Sequence, residues 1–98
     1  MPPVIWSPRA LFGVQRAYRF LAEKYQATAN AMAMLLFKHA EILEKFSSSG
    51  RPATDLDPEH RELIIPFGAS GYVLLYHFDK DRAAVTVLAV RHQREVGY

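Results

Sequence analysis

The sequence predicts an α+β fold in which two antiparallel helices cover one face of a three-stranded antiparallel sheet. In the first half of the chain, apolar residues recur at steps of three and four, which is typical of amphipathic helices. The second half instead carries three short runs of β-branched and aromatic residues separated by turn residues. Ninety-eight residues, half of them apolar, suffice for one core, so we predict a single domain over residues 1–98.

The first half of the chain predicts a short strand followed by a helical hairpin. Val4-Ile5-Trp6-Ser7 is β-prone, and Ser7-Pro8 fits a helix start with Ser7 as the N-cap and Pro8 at the first helical position. The helices are predicted from Arg9 to about Lys24 and from about Ala27 to Phe46, antiparallel because few residues join them. The predicted buried stripes are Leu11, Phe12, Val14, Ala17, Tyr18, Leu21 and Ala22, and then Ala29, Met32, Ala33, Leu36, Phe37, Ala40, Leu43 and Phe46.

The second half predicts the sheet. Ser47-Ser48-Ser49-Gly50 ends the second helix, with Gly50 expected in the left-handed conformation, and residues 51–60 are expected to form a polar loop. Strands are predicted to begin at Leu63-Ile64-Ile65 and to cover residues 72–78 and 83–90. Tight turns between consecutive strands indicate an antiparallel meander.

Composition excludes several classes of protein. The chain has no cysteine, which excludes a disulfide scaffold, a thiolate metal site and a cysteine nucleophile. The first six residues lack the features of a signal peptide, and the apolar run from Ala27 to Phe37 is too short to span a bilayer, so we expect a soluble, cytoplasmic protein with no membrane contact. We expect no metal and no cofactor, because there is no Gly-rich phosphate loop and the four histidines lack ligand-like spacing.

Residues 91–98 carry the densest set of residues suited to binding or proton transfer. Arg91 and Arg94 suit the bidentate capture of phosphate or carboxylate. His92 can move protons near neutral pH, and Tyr98 can stack on a base or fill a cleft. Arg61 either adds to the same basic surface or is a solvated charge paired with a nearby acidic residue. The alternative interpretation of the whole segment is a solvated tail.

Other candidates favour structural roles. His39 is expected on the helix surface, and His77 on the middle strand is expected to be a packed or half-exposed structural residue. The methionines of the second helix are expected mainly in helix packing, with an adaptable binding groove as the alternative.

An ordered set of motifs spans nearly the whole chain. It consists of Ile5-Trp6-Ser7-Pro8-Arg9-Ala10-Leu11, the helical hairpin, Gly50-Arg51, Arg61-Glu62-Leu63, Ser70-Gly71-Tyr72-Val73-Leu74-Leu75-Tyr76 and Val90-Arg91-His92-Gln93-Arg94-Glu95. Taken in this order, the set resembles the RelE/ParE superfamily of type II toxin–antitoxin toxins. The resemblance implies the same α+β fold and a toxin held inactive by an antitoxin.

The superfamily divides by target. RelE-like members are ribosome-dependent mRNA endoribonucleases, whereas ParE-like members inhibit DNA gyrase. RelE-like members typically carry basic residues along the first meander strand and an arginine directly after the Gly-Tyr of the middle strand. Here that first strand has no lysine or arginine beyond Arg61, and Val73 follows Tyr72. A metal-free nuclease needs cations and proton-transfer groups, so the ParE-like branch, which is not an enzyme, is favoured and an endoribonuclease is the alternative.

The resemblance also implies roles for particular residues. Target contacts are predicted at Arg61, Arg91, His92 and Arg94, and a nuclease would add Tyr98 to this set. A ParD-like antitoxin is expected to wrap the hairpin and sheet in a heterotetramer or larger complex, with contacts at Met32, Leu36 and Phe37. A third interpretation is a non-toxic binding module with the same fold.

Overall fold

The computed structural model describes residues 4–54, 56–95 and 98. Parts of the predicted start, polar loop and C-terminal segment, at residues 1–3, 55 and 96–97, lie outside the described residues. The elements are β1 (Val4–Trp6), α1 (Pro8–Ala22), α2 (Gln26–Ala40), a 3₁₀ turn (Glu41–Glu44), β2 (Arg51–Pro52), β3 (His60–Phe67), β4 (Ser70–Asp79) and β5 (Ala84–His92). The predicted α+β fold, with its helical hairpin and antiparallel meander, is confirmed.

The sheet has two strands more than the predicted meander. Its order is β1-β5-β4-β3-β2, with β1 parallel to β5 and the other neighbours antiparallel. The two residues of β2, predicted as loop, pair with Glu62 and Arg61 of β3. β3 begins three residues before the predicted strand, and β5 continues two residues beyond Val90. Arg91 and His92 therefore lie on a strand, because Val73 and Tyr72 of β4 are their ladder partners.

The start of α1 is as predicted, but its buried face is narrower. The Ser7 hydroxyl accepts a hydrogen bond from the Ala10 amide at 3.0 Å, and Pro8 is the first helical residue. Ala10 and Val14 are buried, whereas Phe12 is 61% exposed and Leu11 is also exposed, so these two predicted core residues were wrong. The cause is the helix phase: at about 100° per residue, Leu11 and Phe12 turn away from the face that Ala10 and Val14 present to the core. On the packed side α1 comes close to β5, where a Cβ on Gly13 would lie 3.0 Å from the Val90 carbonyl oxygen.

The second helix ends earlier than predicted. α2 stops at Ala40 and the 3₁₀ turn carries the chain on to Glu44. In the predicted stripe Ala29, Met32, Leu36, Ala40 and Leu43 are buried and Ala33 is half-buried. Phe37 is exposed, as is Phe46 beyond the turn. In the part of the chain that the structure describes, no helix combines the length and apolar character needed to cross a membrane.

The central strand β4 is buried on both faces. Tyr72 and Leu74 belong to the main core beneath the helices, as do Ile65 of β3 and Val90 of β5. Leu75 points to the opposite face, together with Ala53 and Ala89. Directly paired residues of antiparallel strands share a face, so the ladder register assigns the paired side chains of β3 and β5 to one of the two faces. Leu88, at the bulge opposite Leu75 and Tyr76, has no ladder partner.

Gly50 is needed for space and not for a left-handed conformation. Its φ is not positive, in contrast to Gly68 in the β3–β4 turn at +61°. A Cβ on Gly50 would lie 2.6 Å from the Glu62 carbonyl oxygen and 2.7 Å from the Tyr76 ring. The fully buried Tyr76 hydroxyl accepts a hydrogen bond from the Gly50 amide at 3.0 Å and donates to the Ser47 carbonyl at 2.7 Å. One phenol thus fixes the loop that leads from the helices to the sheet.

We predict that Tyr76→Phe lowers the free energy of unfolding by about 1–3 kcal/mol, because the Gly50 amide and Ser47 carbonyl lose a buried partner. Urea unfolding followed by circular dichroism measures this. Tyr25→Phe is the matched control, since Tyr25 is exposed, and its stability should stay within about 0.5 kcal/mol of the parent. Equal stability of the two variants would contradict the role given to the Tyr76 hydroxyl.

Candidate functional site

The five basic and aromatic residues predicted for the site do not form one cluster. Arg61 pairs with Tyr76 on β4, whereas His92 pairs with Tyr72, four residues away along the same strand. That separation is about 13 Å at the usual rise of a strand. The Arg61 guanidinium donates a hydrogen bond to the Gly50 carbonyl at 2.8 Å. Arg61 therefore supports the loop after the helices and does not extend the basic end of β5.

Arg91 and His92 are consecutive strand residues and point to opposite faces of the sheet. Arg91 pairs with Val73 and lies on the face opposite the helices. There its guanidinium is 3.8 Å from the Glu62 carboxylate and 5.1 Å from the centre of the Tyr98 ring. The Tyr98 hydroxyl donates to the same carboxylate at 2.6 Å. The Arg51 Nε also donates to the Glu62 carboxylate, at 3.1 Å. We call these four residues, Glu62, Arg91, Tyr98 and Arg51, the Glu62 cluster.

The Glu62 cluster is an internal charge network. The side chains of Glu62 and Arg91 are only 11% and 14% exposed. Burial alone would raise the pKa of the Glu62 carboxyl. Hydrogen bonds from Tyr98 and Arg51, together with the charge of Arg91, outweigh burial and hold this pKa below its usual 4.5.

Tyr98 is a weak candidate for proton transfer. Burial, followed by its hydrogen bond to Glu62, raises the pKa of the phenol well above its ordinary value, so it stays protonated near neutral pH. Arg91 also donates to backbone carbonyls, most closely to that of Glu95 at 2.9 Å. Its guanidinium is therefore already engaged by the protein.

His92 lies on the helix-covered side, at the end of the sheet. Its ring meets the Tyr72 ring edge-on at 5.3 Å, and its Nδ1 accepts a hydrogen bond from the Arg94 amide at 3.2 Å. The His92 amide donates to the Glu95 carboxylate at 3.1 Å, and Arg16 of α1 reaches the same carboxylate at 3.0 Å. The His92 amide first, and then Arg16, lower the pKa of Glu95 against the effect of burial. This arrangement joins α1 to the exit of β5.

A cavity of about 520 Å³ opens between α1 and the exit of β5. Its walls are mainly apolar, and its rim carries Arg16, Arg91, His92, Arg94 and Glu95. Phe20, which is 79% exposed, stands at its mouth. A smaller cavity of about 220 Å³ continues along α1 past Phe12 and Arg9. The pair forms a groove with apolar walls and a basic rim, which suits a protein segment with apolar and acidic side chains.

The residues predicted to contact an antitoxin are mostly inaccessible. Met32 and Leu36 are fully buried in the main core, because α2 packs this face against the sheet and α1. Of these three residues only Phe37 is exposed, and the centre of its ring lies 4.6 Å from the centre of the Trp6 ring. The methionine exposed on α2 is Met34.

The remaining histidines have structural positions. The His77 Nε2 lies 2.8 Å from a Glu59 carboxylate oxygen, and its ring is 4.9 Å from that of His60, its cross-strand partner. The His39 ring is half-buried and contacts the Leu35 carbonyl one turn back along α2. Among the described residues, no three histidine, aspartate or glutamate side chains gather in a way that could hold a metal ion.

Sequence reasoning missed Arg16, Phe20, Glu62 and Glu95. Arg16 and Phe20 are four residues apart on α1, a spacing that marks one helix face. Glu62, directly before the apolar run Leu63-Ile64-Ile65, was the other available signal. The contacts of Glu95 with Arg16 join residues 79 positions apart, which no local pattern indicates.

Comparisons with known proteins agree with the fold. Residues 4–97 match the family described as the ParE toxin of the type II toxin–antitoxin system parDE. The chain is 34% identical to Toxin RelE3 of Caulobacter vibrioides over 95 residues. The aligned region covers 97% of this chain and 98% of that protein. The chromosomal ParDE system from P. aeruginosa superposes with a TM-score of 0.77 at 14% identity, covering 94% of this chain and 96% of that one. The intact E. coli RelBE toxin–antitoxin complex superposes with a TM-score of 0.62 at 19% identity, covering 98% of this chain and 100% of that one.

The depressed pKa of Glu62 predicts a pH-dependent stability. Because the folded-state pKa lies below the unfolded value, the stabilisation is present above the unfolded pKa and is lost as pH falls through the folded one. Glu62→Gln should therefore lower the free energy of unfolding near pH 7 by about 1–3 kcal/mol and flatten its decline in acid. Urea midpoints measured from neutral pH down to about pH 3 test this. The control is Glu23→Gln at the exposed end of α1, and a parallel decline for Glu62→Gln and the parent would refute the prediction.

Proposed function

Because the chain belongs to the ParE family of type II toxin–antitoxin toxins, within the RelE/ParE superfamily, we propose that it inhibits DNA gyrase and is neutralised by a cognate antitoxin. On this proposal the chain is a protein-binding inhibitor and not an enzyme. It acts in the cytoplasm, where it forms a heterotetramer or larger complex with a ParD-like antitoxin.

The dispersal of the basic residues is the observation that carries the choice of gyrase. A metal-free ribonuclease needs several cations converging on one phosphate and a group that transfers protons. Arg61 is engaged by Gly50 and lies outside the cavity that Arg91, His92 and Arg94 line. Arg91 is held by the Glu62 cluster, and its side chain lies on the other face from His92. The raised pKa of Tyr98 makes its phenol unsuited to act as a base.

The exposed surface of α1 and the exit of β5 support a protein as the target. Phe12, Phe20 and Leu11 are large apolar side chains in contact with water, although burying them would be favourable. Arg94 and His92 stand at the end of the same surface, on the rim of the 520 Å³ cavity. Apolar anchors ringed by arginine are typical of protein–protein contact sites.

A RelE-like endoribonuclease is the second candidate. It is favoured by the position of His92 and Arg94, which share one rim and join a proton-transfer group to a phosphate-binding cation. The relative that is 34% identical also carries the name RelE3. On this alternative the substrate is mRNA on the ribosome.

One paired experiment separates the candidates. Purified protein is titrated into a gyrase supercoiling assay and, in parallel, into a translation extract whose mRNA is followed for cleavage. We expect supercoiling to stop while the mRNA stays intact. Cleaved mRNA with active gyrase would establish the alternative, and no effect in either assay would favour a non-toxic binding module.

We predict that Arg94→Ala and His92→Ala each raise the concentration needed for half-inhibition of supercoiling about three- to tenfold. The reason is that both side chains border the proposed contact surface, where Arg94 is exposed and His92 is half-buried against the edge of the Tyr72 ring. Arg19→Ala, an exposed arginine on α1 outside that cavity, serves as the control and should match the parent. Unchanged inhibition by both variants would place the gyrase contact elsewhere on the molecule.

A further inference from the structure

The Glu95 carboxylate occupies a site built for an anion. Two donors from different elements converge on it: the guanidinium of Arg16 on α1, at 3.0 and 3.3 Å from its two oxygens, and the backbone amide of His92, at 3.1 Å. Hydrogen bonds between charged donors and carboxylates are among the stronger ones in proteins. We call Arg16 and the His92 amide the carboxylate receptor.

The backbone part of the receptor, the His92 amide, does not depend on the Glu95 side chain for its position. Backbone hydrogen bonds hold the turn that follows β5. The Glu95 amide donates to the His92 carbonyl at 3.0 Å, and the Gln93 amide donates to the Gly71 carbonyl of β4 at 2.8 Å. Arg91 holds the same turn from the other face by donating to the Glu95 carbonyl. If the Glu95 side chain swings out, the His92 amide stays in place, and the exposed Arg16 side chain is left to pair with another carboxylate.

Glu95 is also easily replaced. Its side chain is 44% exposed and that of Arg16 is 60% exposed, so neither is locked by packing. An exposed ion pair of this kind contributes little to stability. A carboxylate from another molecule can therefore take the position of Glu95 without disturbing the core.

The apolar cavity lies directly beside the receptor. Ala17, Leu21, Tyr72 and Val90 line its walls, and Arg16 and His92 belong both to its lining and to the receptor. Its volume of about 520 Å³ is large enough for one or two bulky side chains. A fitting ligand combines a carboxylate with a neighbouring large apolar group.

Charge complementarity identifies the occupant. The groove along α1 is bordered by the arginines at positions 9, 16, 91 and 94, and Glu95 is the one acidic residue in the described lining. We propose that an acidic residue of the antitoxin displaces Glu95 from the carboxylate receptor while an adjacent apolar side chain enters the cavity. Glu95 then acts as an internal competitor that sets the affinity of the complex. This inference rests on the antitoxin partnership of the proposed function, but not on gyrase as the target.

The test measures binding of the cognate antitoxin, purified after co-expression with this chain, to the parent and three variants by calorimetry. Arg16→Gln removes the charged donor and should weaken binding about tenfold. Glu95→Gln keeps an acceptor for the His92 amide but removes the competing charge, and should tighten binding about threefold. Arg19→Gln, on α1 outside both cavities, is the matched control and should bind like the parent.

A second arm locates the partner residue. Overlapping peptides of the antitoxin identify the segment that binds, and each of its acidic residues is changed to the amide. One such change should weaken binding to the parent about tenfold but have little further effect on Arg16→Gln, because both changes remove the same ion pair.

The outcomes are distinct. Parent-like binding by both Arg16→Gln and Glu95→Gln would overturn the inference while the antitoxin and gyrase proposals stand. If antitoxin binding changes as expected in the variants but the parent protein does not inhibit gyrase, only the choice of target is overturned. If the antitoxin does not bind the parent, both the partnership and the inference fail. If single-stranded RNA shows the expected changes instead of the antitoxin, the receptor is a nucleic-acid site and the inference is wrong.

Discussion

The architecture depends on burying the central strand β4 on both faces. Its residues from Gly71 to Tyr76 are all buried, although the described part of the chain has only one helical hairpin to cover a five-stranded sheet. The hairpin shields one face. The other is covered by the small residues Ala53 and Ala89 and by the Glu62 cluster. Charged and polar side chains of the Glu62 cluster therefore complete the cover of this face, whereas apolar helix residues cover the other. Arg91 and Tyr98 are engaged in this structural role.

Strand geometry explains why residues adjacent in the sequence do not form one site. Successive side chains of a strand point to opposite faces, so extending β5 through His92 places Arg91 and His92 on different sides of the sheet. In a tail, the two could have converged on one ligand. The strand leaves Arg91 as a structural residue and turns His92 toward α1. The candidate site is consequently made by a helix and a strand end, and its main partners are far apart in the sequence.

Local signals predicted most of the elements. The Ser7-Pro8 start, the short helix connection and the turn residues each reflect backbone chemistry within a few positions, and the structure follows them. The predicted burial of Leu11 and Phe12 was wrong because, at about 100° per residue, both turn away from the helix face of Ala10 and Val14 that packs on the core. The parallel pairing of β1 with β5 joins Val4 to Val85, and periodicity carries no information about such a pairing. Periodicity did place Met32 and Leu36 on one stripe, but a stripe alone does not tell a core from a docking face.

The pairing of β1 with β5 also has a consequence for the order of events during synthesis. β1 is made before every other described element and β5 after all of them, yet they are neighbours in the sheet. Pairings between distant residues are slow to form, because a long segment must be closed before any contact rewards it. Neither the complete sheet nor the groove along α1 exists until β5 has left the ribosome. The surface proposed for gyrase and antitoxin is thus among the last features of the molecule to appear, and its formation sets the earliest moment at which either partner can bind.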